Sequence, residues 1–404
     1  MRSKTRFKAG IYFSHYECLG HISIVMAVGE VFKKRSPGGD LFFIQAGIQQ
    51  PNIKINQLGK VYSLPGAFVS RQNFRVPVRQ LGADVEKRGQ VCVDIVTREK
   101  PDLFITEFFP LGWEECRHEL ISPLLKASEQ GAAVWAVAGH PLLTGTNNEW
   151  RDRILKLYQK IIIFSPVREK ELMAGSFKRA SDKQKYLNFF ERNAQKIIFA
   201  GYLWPQHEVV LDDEEVTSPK PPMPQGVCRV AVVRGGGAFY PKVVAEAIQA
   251  SDLLGKEYHL TVVAGPATTT QEWYFFNALV AKKKVNNLLL LRSLGNYEGL
   301  VKDSDVCVAM GGYNTSVMLL KHRKKAVIIP FEGYGSMTFY EQPARAVLLK
   351  EMIGARILYI QELTANTLAS EIRDTASRKK IHIQIPKEWF FGADVLDKAL
   401  TGLF

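Results

Sequence analysis

Short apolar runs rich in β-branched and aromatic residues alternate along the chain with longer stretches in which apolar positions return every three or four residues. "AGIYFS", "DLFFIQA", "DLFITEF", "AVWAVAG" and "KIIIFS" form a first series of such runs; "CRVAVVRGG", "HLTVVAG", "NLLLLRS", "DVCVAMGG" and "KAVIIPF" form a second. Continuous apolar strands separated by amphipathic helices predict parallel sheets covered on both faces, here two Rossmann-like, doubly wound α/β sheets. Between the series, "LDDEEVTSPKPPMPQG" (211–226) is acidic and then proline-rich with nothing to bury, the composition of a linker. The predicted organisation is a first domain over 1–206, a linker over 207–226, a second domain over 227–384 and a last helix over 385–404.

Length agrees with that division, since 404 residues exceed what one core usually holds. A hydrophobic share of 46% and a charged share of 23% exclude the disordered and fibrous classes. Cys18, Cys92, Cys116, Cys228 and Cys307 are scattered, with no C-x-x-C pair, which points to a reduced, cytoplasmic protein. No apolar stretch reaches the roughly 20 residues that span a bilayer, so any membrane contact is expected to be peripheral. Lys and Arg number 53 against 40 Asp and Glu, a net charge of +13 that favours a phosphorylated or polyanionic partner or an anionic membrane surface. The basic clusters at 282–284, 321–325 and 378–380 each read, alone, as a solvated helix end; only their sum leans toward an anion.

In doubly wound sheets ligands bind beyond the carboxyl ends of the strands. Gly311 and Gly312 stand at such an end, and Asn314, Thr315 and Ser316 open a helix whose first N–H groups favour an anion. The two glycines allow positive φ and close approach of a ligand to the backbone. Arg234 followed by Gly235, Gly236 and Gly237 repeats the arrangement, and Gly265 in "VVAGPA" gives a third glycine loop, so a nucleotide site is expected. The absence of G-x-x-x-x-G-K-[ST], and of G-x-G-x-x-G after the first strand, disfavours P-loop ATPases and dehydrogenases. No H-E-x-x-H or similar cluster is present, so neither a catalytic metal nor another cofactor is expected. In the first domain Gly20 and His21 begin a helix with Ile24, Val25, Val28 and Phe32 at helical spacing, whose positive end favours a neutral, proton-accepting imidazole. Glu107 and His140 end two other strands of the same sheet, and all three side chains are expected along one cleft.

"CLGHISI", "PDLFITEFFPLGWEE", "RGGGAF", "AGP", "MGGYNT" and "YEQPARA" occur in the order found in a group of predicted bacterial glycosyltransferases related to glycosyltransferase family 28, which includes the peptidoglycan N-acetylglucosaminyltransferase. The chain resembles that group over nearly its whole length. The resemblance implies the GT-B fold, with two Rossmann-like domains facing across a cleft, the acceptor held by the first, the nucleotide-sugar donor by the second, and a final helix crossing back. It implies transfer from a nucleotide diphosphate donor, UDP-sugar favoured, to an acceptor hydroxyl or amine, with inversion and without a metal. Carried over by position, Gly235 to Gly237 would approach the diphosphate, Gly311 to Thr315 the phosphates and sugar, Glu341 and Gln342 the sugar hydroxyls, and the backbone of Leu294 the base. Gly20 and His140 would lie on the acceptor side, and His21, or Glu107 in its place, would act as base. The acceptor is unnamed, with phosphorylated or lipid-linked molecules in view; a nucleic acid is not expected. Three departures stand out: Met318 where the group carries a ribose-binding Glu, Cys18 where a glycine is common, and Ser23 and Ile24 where an arginine is usual. A GT-B nucleotide-sugar 2-epimerase and a non-catalytic GT-B-like partner subunit are the alternatives.

Overall fold

The computed structural model describes residues 6–15, 20–47, 54–64, 85–112, 114–143, 149–206, 226–237, 239–283, 286–295, 297–333, 340–379 and 383–403. Cys18, the expected linker up to 225, and Lys284 and Lys380 at the ends of two basic clusters lie outside them.

The first series of apolar runs builds one parallel sheet from β1 (Lys8–His15), β2 (Asp40–Gly47), β3 (Lys60–Ser63), β4 (Leu103–Glu107), β5 (Ala133–Ala138), β6 (Lys160–Ile163) and β7 (Ile197–Phe199), in the order β3-β2-β1-β4-β5-β6-β7. The second series builds another from β8 (Cys228–Val233), β9 (Tyr258–Val263), β10 (Leu288–Leu291), β11 (Val306–Ala309), β12 (Lys325–Ile328) and β13 (Arg356–Ile357), in the order β10-β9-β8-β11-β12-β13. In each sheet the chain starts near the centre, winds outward, then returns to continue on the other side. The strand order therefore reverses between β1 and β4 and again between β8 and β11. Central strands such as β4 and β11 are buried along their whole length, as expected where helices cover both faces. The strands without a counterpart in the sequence reading are β3, β7 and β13. All three are short sheet edges, half-buried or exposed, and so lack a continuous apolar run.

The chain divides into two compact units: residues 1–170, 178–211 and 387–404 in the first, 171–177 and 212–386 in the second. In the first unit the last helix, Gly392–Thr401, packs on the helix Gly20–Arg35 and buries Leu396 and Leu400. Its approach is fixed by Tyr202, whose N–H donates to the Trp389 carbonyl at 2.5 Å and whose carbonyl accepts from Gly392 N–H at 3.2 Å. Ile24, Val25, Val28 and Phe32 are all buried, so the helix that starts at Gly20 is held along its apolar face. Beneath β1, the Arg88 guanidinium grips the Glu119 carboxylate at 2.6 and 3.2 Å, and Tyr12 hydroxyl donates to the same group. All three side chains are sealed from solvent, an arrangement tolerated only because each charge has a partner. In the second unit the helix Pro241–Leu254 buries Val243, Val244, Ala247, Ile248, Ser251 and Leu254, a stripe at helical spacing. No helix among the described residues is long and apolar enough to cross a membrane.

Candidate active site

Topology brings His21 and Glu107 together. β1 and β4 are neighbours at the point where the first sheet reverses its order; His21 is the second residue of the helix after β1, and Glu107 is the last residue of β4. His21 Nδ1 and Glu107 Oε1 are 2.8 Å apart. A carboxylate only accepts, so with Glu107 in that form Nδ1 would donate and Nε2 would keep the lone pair. The His21 side chain keeps 15% of its exposure, whereas Glu107 keeps 1%. Of the two expected bases, His21 is thus the one with exposed side-chain surface, and Glu107 lies behind it. Its second oxygen, Oε2, is buried without a hydrogen-bond partner among the described residues.

The turn after β4 frames this pair. Phe108 adopts φ 62°, and its ring lies between His21 (centroids 5.6 Å apart) and His140 (4.8 Å, edge-on). His140 and His21 thus both pack against one aromatic ring. Gly112 makes room for that ring, since a Cβ there would fall 2.0 Å from Phe108 Cε1. Phe108 N–H donates to the Val137 carbonyl at 2.7 Å, and the Thr106 hydroxyl donates to the Phe109 carbonyl at 2.7 Å and pairs with the Tyr158 hydroxyl at 2.8 Å. Gly20 opens the helix with nothing within 4 Å of where a Cβ would stand.

In the second unit the glycine loops gather at the reversal between β8 and β11. Gly235 has φ +88° and Gly265 φ +95°, and a Cβ on Gly265 would lie 2.3 Å from the Gly235 carbonyl oxygen. The loops after β8 and β9 thus touch backbone to backbone. The Arg234 side chain is fully buried: Nε donates to the Phe239 carbonyl at 2.7 Å and Nη1 meets Glu272 at 3.4 Å. It braces the loop from beneath. Glu272 also closes a capping box with Thr269, their reciprocal bonds measuring 3.0 and 2.9 Å, at the start of the helix Thr270–Lys283. The loop of Gly235, Gly236 and Gly237 does not run straight into a helix. The next one begins at Pro241, which has no N–H, after Tyr240 in a left-handed conformation. Any donors toward a phosphate come there from the loop itself.

At β11 the helix Tyr313–Lys321 starts directly after Gly312. The expectation of positive φ holds only for Gly311, at +75°; Gly312 has φ −62° and open space where a Cβ would project. Beside them Asn314 Oδ1 and Ser316 Oγ are buried without a partner among the described residues, while Thr315 hydroxyl pairs with Tyr297 hydroxyl at 2.7 Å. Burial pushes the Tyr297 phenol well up from its ordinary value, so that pair stays neutral. Glu341 and Gln342 begin the helix Glu341–Ile353. Gln342 Oε1 accepts from Phe331 N–H at 2.9 Å. Leu294 is half-buried in the loop after β10, and Met318 is half-buried on the helix after Gly312. The residue that sequence reasoning passed over is Arg345. Buried, it reaches the Gly311 carbonyl at 3.4 Å and lies 5.6 Å from the Tyr313 ring centroid. Its place within "YEQPARA" was its only signal. Among the described residues no three His, Cys, Asp or Glu side chains converge as metal ligands would.

No family model matches the chain, and no curated protein sequence matches it. Solved structures do. The UDP-glucosyltransferase of Polygonum tinctorium that glucosylates indoxyl is similar over 99% of this chain and 94% of its own, with a TM-score of 0.59 and 12% identity. MurG of Acinetobacter baumannii is similar over 97% and 99%, with a TM-score of 0.53 and 13% identity. UDP-GlcNAc 2-epimerase of Neisseria meningitidis, bound to UDP-GlcNAc, is similar over 98% and 100%, with a TM-score of 0.57 and 10% identity. At such identities the likeness is one of fold, and the chain has the α/β GT-B fold of these proteins.

Proposed function

We propose that the protein is a cytoplasmic, inverting, metal-independent glycosyltransferase of the group related to family 28, moving a sugar from a UDP-sugar to an acceptor hydroxyl or amine. The observation that carries this reading is the His21–Glu107 pair at the strand-order reversal of the first sheet. His21 Nε2 takes the acceptor proton while the acceptor oxygen or nitrogen attacks the anomeric carbon. The bond from that carbon to the diphosphate breaks, and Glu107 stabilises the imidazolium that forms. Charge on the departing diphosphate is met by loop N–H groups at Gly235 to Gly237 and by the helix start after Gly312. Asn314 Oδ1, buried and unpartnered among the described residues, is poised to accept from a sugar or ribose hydroxyl.

The 2-epimerases share the fold at similar TM-scores, which supports a second reading: isomerisation of the donor sugar. Incubating the protein with a panel of UDP-sugars and hydroxyl or amine acceptors separates the two. Transfer releases UDP and gives a product of inverted anomeric configuration by NMR, whereas epimerisation changes the sugar while it stays on UDP. Absence of both products across the panel would leave only the non-catalytic reading.

A further inference from the structure

The basic runs at 321–325 and 378–380, each readable alone as a solvated helix end, meet around one pocket of ≈ 260 Å³ in the second unit. Arg323, Lys325, Arg378 and Lys379 line it, and among the described residues no acidic one does. It lies beside the first residue of β12 and just before β13, at the amino edge of the second sheet. The Gly311 loop occupies the opposite, carboxyl edge, farther off than the length of β12, about 13 Å.

The simplest use for four cations here is to offset helix ends. Three helices finish at the pocket: Tyr313–Lys321, Glu341–Ile353 and Ala365–Ser377. Their carboxyl termini together carry about one and a half negative charges. Four full positive charges exceed that by more than two. Only Lys325 is tied to a helix end, its Nζ donating to the Ala376 carbonyl at 2.5 Å; Arg323, Arg378 and Lys379 are exposed at the rim. The nearby Glu371 is already engaged by Arg356 at 2.7 and 2.9 Å.

A second, independent feature points to a ligand. Thr375 is 3% exposed and lines the pocket, yet its hydroxyl has no hydrogen-bond partner among the described residues. A helical threonine usually bonds back to a carbonyl one turn earlier, and a buried hydroxyl left alone is unfavourable. A ligand oxygen would satisfy it. Pockets for whole drug-sized molecules begin near about 300 Å³, so this one suits a compact group.

We propose that this pocket is a phosphoryl-binding site, distinct from the candidate donor site, that takes a phosphate or diphosphate group, free or as the headgroup of an anionic lipid. It does not depend on the glycosyltransferase reading. The test titrates the full-length protein with inorganic phosphate and pyrophosphate by calorimetry, and sediments it with phosphatidylglycerol or phosphatidylcholine vesicles. Arg323→Gln/Arg378→Gln is compared with Lys256→Gln/Lys282→Gln, which removes the same charge from exposed sites elsewhere in the unit. The pocket variant should lose about tenfold or more in affinity for one of the two ligand forms, with the control near wild type. Loss for pyrophosphate identifies a free anion, and loss for phosphatidylglycerol a lipid headgroup. Thr375→Val should weaken the same ligand without lowering the melting temperature, since no internal bond is removed. Wild-type protein that binds neither form, or a pocket variant that binds as its control does, overturns the proposal.

Discussion

Alanine at position 265 should damage the second unit beyond what backbone strain alone explains. Gly265 holds φ +95°, where a side-chain-bearing residue costs about 1–3 kcal/mol. Its new Cβ would also stand 2.3 Å from the Gly235 carbonyl oxygen. Because the obstacle is backbone, one of the two loops has to move, and overpacking of this kind adds about 1–3 kcal/mol. Gly255 supplies the comparison. At φ +77° it too lies where side-chain-bearing residues are strained, but a Cβ there meets only the end of the Glu257 side chain at 2.7 Å, which can rotate away. Gly255→Ala therefore reports strain, and the excess in Gly265→Ala reports the loop collision. For a domain of this size class each kcal/mol lowers Tm by about 2–4 °C, so thermal melts resolve the difference. UDP titrations on the same samples should show affinity reduced only in Gly265→Ala, because only there is the Gly235 loop displaced. Equal melting temperatures for the two variants, with equal UDP affinity, would refute the backbone contact.

Arg88→Met should lower stability by about 3–5 kcal/mol in urea denaturation by leaving the Glu119 carboxylate buried without its cation. Adding Glu119→Leu should recover most of that, and a double variant no better than the single would contradict the account. Met318→Glu, at a half-buried helix position, should tighten UDP binding by about 1 kcal/mol through one added ribose hydrogen bond; weaker binding would place Met318 in a packing role. Burial pushes the Cys307 thiol up to about 11, so its thiolate is scarce at pH 8. Iodoacetamide should label Cys307 only after denaturation, and fast labelling of native protein, located by mass spectrometry, would disprove that.

The central strands were legible because both of their faces are covered, which forces an unbroken apolar run on each. The edges β3, β7 and β13 were not, since a half-exposed strand of two to four residues has no distinguishing pattern. Glycines after strands signalled loops with positive φ in the second unit, but not which glycine carries it: Gly311 does and Gly312 does not. That Arg234 is buried, with its guanidinium on Glu272 and the Phe239 carbonyl, could not be read from the sequence, because Glu272 arrives from 38 positions away. The contact of His21 with Glu107 spans 86 positions and exists only because β1 and β4 become neighbours. Each residue could be flagged alone at a strand end; their pairing required the sheet order. The meeting of two basic runs around Thr375 was hidden for the same reason.

The central claim is that His21, aimed by Glu107, removes the acceptor proton during sugar transfer. His21→Ala is a blunt probe, because it strips the buried Glu107 carboxylate of its partner and would unsettle the fold. His21→Gln keeps a donor for that carboxylate and abolishes the base. Single-turnover transfer from the UDP-sugar that the wild type uses, measured beside UDP affinity and Tm, should fall by about 10²–10⁴-fold in His21→Gln with affinity and Tm near wild type. Glu107→Gln, which keeps an acceptor for Nδ1–H but removes the charge, should fall between that variant and wild type. Turnover in His21→Gln within about threefold of wild type, against the far larger loss a base requires, would contradict the assignment.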